Sequence, residues 1–184
     1  MRVDFTSLRD TYNELISDVE DAKRLNTDFC SEAFIKRTYT RSFFAMIEGV
    51  TFQLKKIALQ ANSEVNTNIF QDYEIDLLQE REGYLADNGI AKVREARIRL
   101  LPNLQFAIRS VVKALNLDYE INKGSGWEAL RLAIKIRDRI THPKTTKRLQ
   151  ISDADMEILG QANSWFRDEI VRLIALIRAN HDAV

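Results

Sequence analysis

Between Ser31 and Asn62 the chain repeats one pattern without a break. Ile35, Tyr39, Phe43, Met46, Val50, Leu54, Ile57 and Ala61 follow one another at steps of three or four residues. That spacing places all eight on one face of an α-helix. A helix over residues 31–61 is about 45 Å long at 1.5 Å per residue. That is the length of a central rod against which other helices pack. Six glycines and two prolines in 184 residues supply too few turns for an all-β chain and too little of either residue for a low-complexity one.

The remaining segments read as partners for that rod. Leu8, Tyr12, Leu15, Ile16 and Val19 form a shorter stripe, with Ser7 and Asp10 as a capping pair. Residues 62–90 interrupt the periodicity. Asn62, Ser63, Asn66, Thr67 and Asn68 read as a loop, residues 72–82 as a short acidic helix ended near Gly83, and Asp87-Asn88-Gly89 as a turn. Val93, Arg97, Leu100, Leu104, Ile108, Val111 and Leu115 resume a helical stripe, which Pro102 either kinks or opens in its first turn. After a loop at residues 122–126, Ser125 and Glu128 have capping-box spacing. Trp127, Leu130, Ile134 and Ile140 mark a helix that must end near His142, because Pro143 disfavours helical geometry in the residue before it. Ser152 and Asp155 offer a cap for a last helix through Met156, Leu159, Asn163, Phe166, Ile170, Leu173 and Ile177. No strand and no internal repeat is read. The expectation is an all-α protein, one domain over residues 1–184: an up-and-down bundle of four or five main helices with an acidic insertion (62–90) between the second and third.

The 27 basic and 27 acidic side chains cancel, yet not locally. Residues 64–88 hold seven acids and one base, a net −6. Residues 122–150 hold eight bases against Glu128 and Asp138, a net +6. Such a stretch is either a solvated helix face paired with the acidic segments or a local patch that attracts polyanions.

Few side chains can carry chemistry. A lone cysteine, Cys30, excludes an internal disulfide and a multi-cysteine zinc site, and reads as a small packed residue. The two histidines, His142 and His181, are not at metal-ligand spacing, and His181 reads as an exposed tail residue. No phosphate-loop, dinucleotide or hydrolase-elbow motif is present, so no cofactor is expected. The opening residues lack the apolar core of a signal peptide, and no run approaches the roughly 18 apolar residues of a membrane span. A cytoplasmic protein with no membrane partner is expected.

One constellation remains, Arg137-Asp138-Arg139-Ile140-Thr141-His142-Pro143-Lys144, at the end of a helix inside the basic stretch. Arg137 is a permanent cation and His142 a titratable acid or base. Asp138, four residues before His142, shares its helix face and could orient the imidazole. These are the parts that cleave RNA without a metal: a base for the 2′-hydroxyl, a cation for the phosphorane-like transition state and an acid for the 5′-oxygen. The bland alternative is an ordinary helix pair, with a histidine favoured by the helix dipole.

Arg137-Asp138-x-x-x-His142 resembles the signature of the HEPN superfamily (higher eukaryotes and prokaryotes nucleotide-binding): Arg, a polar residue, a few residues, then His, on a late helix of an all-α bundle. The specific resemblance covers about residues 127–150. It implies a metal-independent endoribonuclease of toxin–antitoxin, phage-defence or RNA-processing type. It also implies a homodimer in which Arg137 and His142 of both protomers form one composite site, with Asp138 beside them. Lys135, Arg139, Lys144, Lys147 and Arg148 are then expected to guide the RNA backbone. An antitoxin or regulatory protein is a further expected partner. Other members of the family have lost catalysis and bind RNA, a nucleotide or a protein, which leaves a binding module as the alternative.

Overall fold

The computed structural model describes residues 5–64 and 69–182. In chain order the elements are α1 (Thr6–Arg24), α2 (Glu32–Glu64), α3 (Asp72–Leu78), β1 (Arg81–Leu85), β2 (Ala91–Glu95), α4 (Leu100–Leu115), α5 (Ser125–Thr141) and α6 (Asp153–Asp182). Five long helices build an all-α bundle, as the periodicity predicts. Helices α1 and α4 pack on α2, α5 and α6 pack on each other, and α2 touches both members of that second pair.

Helix α2 is the rod. Its middle turns bury more than one stripe: Phe43, Phe44, Met46, Ile47, Val50, Thr51 and Leu54 are all buried. A helix apolar on so wide an arc must be covered on several sides. Phe43 links it to α6, with its ring edge-on to Phe166 at 6.4 Å and beside Phe44 at 5.2 Å. Asn163 of α6 donates to the Tyr39 hydroxyl at 3.2 Å, giving that contact a polar register mark. The α5–α6 pair is closed at one end by Trp127 against Trp165, 5.4 Å between ring centroids. Gly126 is required there, because a Cβ on it would sit 2.4 Å from the Trp165 Cβ.

Several local expectations change. The region between α2 and α4 contains an antiparallel hairpin, in which Arg81 pairs with Glu95 and Leu85 with Ala91. No strand is read from the sequence because β1 and β2 are almost wholly exposed and so lack the buried alternate face that marks a strand. Val93 belongs to β2, Arg97 precedes α4, and Gly83 lies inside β1 rather than ending a helix. The Asp87-Asn88-Gly89 turn forms as read, with Gly89 at φ +75° closing the hairpin. Asn62 and Ser63 continue α2; Asn66, Thr67 and Asn68 lie outside the described residues. Pro102 sits in the first turn of α4, where its missing amide costs nothing. Ser7–Asp10 and Ser125–Glu128 do not cap, since α1 starts at Thr6 and α5 already at Ser125. Ser31 accepts from the Phe34 amide at 3.3 Å and opens α2. Among the described residues no helix is long and apolar enough to cross a membrane.

The insertion is fastened by a buried cation. Lys55 of α2 is fully buried. Its Nζ donates to the Leu77 carbonyl at 3.2 Å and to Glu80 Oε1 at 3.1 Å. Glu80 adopts φ +56°, the left-handed conformation that swings the chain out of α3 and brings its carboxylate over the amine. Burial pushes the Lys55 ammonium below its ordinary pKa, against the pull of Glu80. Removing only the carboxylate leaves a desolvated charge, whereas removing the amine does not. Glu80→Ala is therefore expected to be less stable than Lys55→Met in urea unfolding. Without Glu80 the Lys55 ammonium is pushed lower still, so the loss in Glu80→Ala should shrink as pH rises from the variant's Lys55 pKa to the wild-type one, where only the folded variant has released the proton. In that window the unfolded chain binds more protons than the folded variant, so the variant's stability climbs with pH.

Candidate functional site

Helix α5 buries Trp127, Leu130, Ala133, Ile136 and Ile140 against its neighbours. Arg131, Leu132, Lys135 and Asp138 point to solvent on its other side. Arg137 lies on the border, with its side chain 23% exposed. Its guanidinium sits over the Phe44 ring of α2, 5.3 Å from the centroid. Nη2 is 3.5 Å from Glu48 Oε1, and Nη1 is 3.4 Å from Asp138 Oδ1. Both contacts are long for charge-assisted bonds, which run near 2.7–2.9 Å. The buried Arg137 Nε has no hydrogen-bond partner. The ring fixes where the guanidinium lies, while the two carboxylates are loosely held and exchangeable for other oxygens. Phe44 and Glu48 are four apart, so one turn of α2 supplies both ring and carboxylate. Neither residue was read from the sequence; the α2 stripe pointed only to its core, and nothing linear joins residue 48 to residue 137.

His142 is the residue at which α5 stops. It has left helical geometry (φ −122°, ψ 61°) and its amide donates to the Asp138 carbonyl at 3.2 Å. The residue is exposed, as expected of a group that projects from a helix end before proline. The expected side-chain contact from Asp138 is absent: among the described residues no hydrogen bond or ion pair joins the two side chains. A spacing of four brings two side chains together only on helical backbone, and residue 142 is not helical. Once that residue unwinds, its Cβ no longer stacks over the preceding turn, and Asp138 turns to Arg137 instead.

The other cations divide. Arg139 points inward to the loop and α6, donating to the Gln150 carbonyl at 3.0 Å and to Asp155 Oδ2 at 2.8 Å. Its place is a structural clamp, so of the five expected guide residues this one is committed elsewhere. Lys135, Lys144, Lys147 and Arg148 are exposed, with no ion pair among the described residues. A 3-10 turn (Thr146–Leu149) carries the last two. The acidic insertion does not neutralise them. Glu74 pairs with Lys113, Asp76 with Arg81, Glu80 with Lys55 and Glu82 with Arg94. These four carboxylates are used within the insertion and against α2 and α4.

Asp155 anchors the end of the basic loop. It closes the capping box of α6, accepting from the Ser152 amide at 2.9 Å while its own amide donates to Ser152 Oγ at 3.1 Å. The cap read from the sequence is thus formed, and the same carboxylate receives Arg139. Cys30 is half-buried, with its thiol 3.4 Å from the Asn26 carbonyl. The side chain of His181 lies outside the described residues. Among the described residues no group of three or more His, Cys, Asp or Glu side chains is placed to hold a metal ion.

Comparison with protein-family models, curated proteins and solved structures returns no match to this chain.

Burial alone raises the Asp155 carboxyl pKa, but the bonds from Arg139 and Ser152 outweigh it and hold the group below the ordinary Asp range. A lowered carboxyl pKa contributes stability above the unfolded value, and that contribution disappears as pH falls through the folded one. Asp155→Ala is expected to cost about 1–2 kcal/mol at neutral pH, from the lost cap and charged hydrogen bond. In urea unfolding that difference should fade as pH drops through the lowered folded-state pKa, below the ordinary Asp value of about 3.9.

Proposed function

We propose that this protein is a metal-independent endoribonuclease that works as a homodimer. The observation that carries the reading is the pairing of a ring-held Arg137 with an exposed His142 at one helix end, flanked by unpaired cations. In the reaction a histidine takes the proton of the ribose 2′-hydroxyl. The 2′-oxygen bonds to phosphorus, the bond from phosphorus to the 5′-oxygen breaks, and an acid protonates that leaving oxygen. Arg137 binds the phosphate, giving up Asp138 or Glu48 for phosphate oxygens. One imidazole cannot serve both faces of the phosphorus, so a second His142 from a partner protomer supplies the other proton transfer. The resemblance of Arg137-Asp138-x-x-x-His142 to the HEPN signature supports this arrangement. It extends the proposal to a toxin or phage-defence effector with an antitoxin or regulatory partner. Lys135, Lys144, Lys147 and Arg148 guide the RNA backbone.

A second reading, a non-catalytic module that binds RNA, a nucleotide or a protein, draws on one observation: Asp138 lies against Arg137 and leaves His142 without an orienting carboxylate.

Cleavage of single-stranded RNA in EDTA separates the two. Wild type is expected to cleave, His142→Ala to lose at least a hundredfold in rate, a loss typical of removing one proton-transfer group, and Arg137→Ala to lose a similar amount. Equal cleavage by His142→Ala, or binding without cleavage by wild type, would establish the second reading. The composite site also requires a solution mass of twice 21.3 kDa. Sedimentation that gives a monomer across concentration removes it.

A further inference from the structure

A groove opens beside Arg137 on the side away from His142. Its walls are the first turn of α4, through Arg99 and Leu101, and the solvent face of α5, through Leu132, Lys135 and Arg137. Four cations, Arg99, Arg131, Lys135 and Arg137, and two carboxylates, Glu128 and Asp138, line this concavity. Arg131 pairs with Glu128 at 2.9 Å, and Arg137 lies 3.4 Å from Asp138. Arg99 and Lys135 are exposed and carry no ion pair among the described residues. The floor is apolar, with Leu132 44% exposed to the groove side of α5. No side chain caps α4, so the free amides of its first turn add positive potential at the same place.

We propose that this groove is a binding site for the sugar–phosphate backbone of single-stranded RNA flanking the cleaved bond, with Arg99 and Lys135 each taking one phosphate. The assignment rests on the ribonuclease reading above and adds to it the direction in which the strand leaves the site. An anion is the occupant the charges select, because two unpaired cations beside a partly neutralised Arg137 repel any cationic partner and gain from a chain of phosphates. A single strand suits the groove better than a duplex, since exposed apolar side chains can meet only unstacked bases. Among the described residues no aromatic side chain lines it, so bases pack on Leu132 and Leu101 rather than stack, and phosphate contacts dominate affinity. From Lys135 to His142 the helix rises about 10 Å, which places the scissile phosphate within a few nucleotides of the groove. On the far side, Lys144, Lys147 and Arg148 receive the other end of the strand.

The test is the salt dependence of binding, measured by fluorescence anisotropy on the full chain. The probe is a short single-stranded RNA with methylated 2′-hydroxyls, which the protein cannot cleave. Each phosphate contact contributes about 0.7 to the slope of log K against log salt for single strands. Arg99→Ser and Lys135→Ser should each flatten the slope by that amount, and the double variant by about 1.4. Arg178→Ser, an exposed cation near the far end of α6, should leave it unchanged. Wild-type binding with an unaltered slope in the double variant overturns the groove assignment and leaves the ribonuclease reading standing. Absence of binding by wild type overturns both. Poly-glutamate that binds as tightly as the RNA, and loses the same slope in the variants, replaces RNA with an acidic protein as the occupant.

Discussion

The burial of α2 is the constraint on which everything else depends. A 33-residue helix with a wide apolar arc cannot stay in water, and α1, α4 and the α5–α6 pair all pack against it. That requirement brings residues far apart in sequence to one place. Phe44 and Glu48 meet Arg137, 93 and 89 positions later, only because α2 is the shared wall. Lys36, nearer the start of the same helix, reaches Asp153 at 2.7 Å and ties the opening of α6 to the rod.

The second determinant is the economy of charge at the end of α5. Asp155 serves as both the cap of α6 and the acceptor for Arg139, so one carboxylate sets where α6 begins and how the basic loop returns. Arg139 is consumed in doing so, while its neighbours Lys144, Lys147 and Arg148 stay in solvent. A run of like charges in the sequence therefore resolves into a structural cation and several free ones. The acidic insertion is resolved in the same way. Four of its seven carboxylates pair with Lys55, Arg81, Arg94 and Lys113, which holds the insertion together and leaves the basic segment without a partner from these four.

The apparent neutrality of the chain is thus two separate accounts. Within the insertion, opposite charges meet locally. Around α5, among the described residues, they do so only at Arg131, Arg139 and, loosely, Arg137. The surface that remains cationic joins the α4–α5 groove, Arg137, His142 and the loop beyond.

How much of this was legible in the sequence follows from where each signal resides. The helices were legible because burial of one helix face imposes a period of 3.6 on the chain itself, as in Ile35 through Ala61 and Leu159 through Ile177. The end of α5 was legible because Pro143 acts on its immediate neighbour. The Ser152–Asp155 cap was legible because its partners are three residues apart. The hairpin was not, because strands exposed on both faces have no reason to alternate. The Arg137 cradle was not, because a contact between helices leaves no period in either. Asp138 and His142 show the boundary most clearly. Their spacing is a property of the sequence, but whether they touch depends on the backbone at residue 142, which the fold unwinds. The sequence by itself determined the helical bundle and the placing of Arg137 and His142 at the end of one helix. Only the tertiary structure decided which cations are free and which groups surround the arginine, because those depend on distances between elements that local chain geometry does not contain.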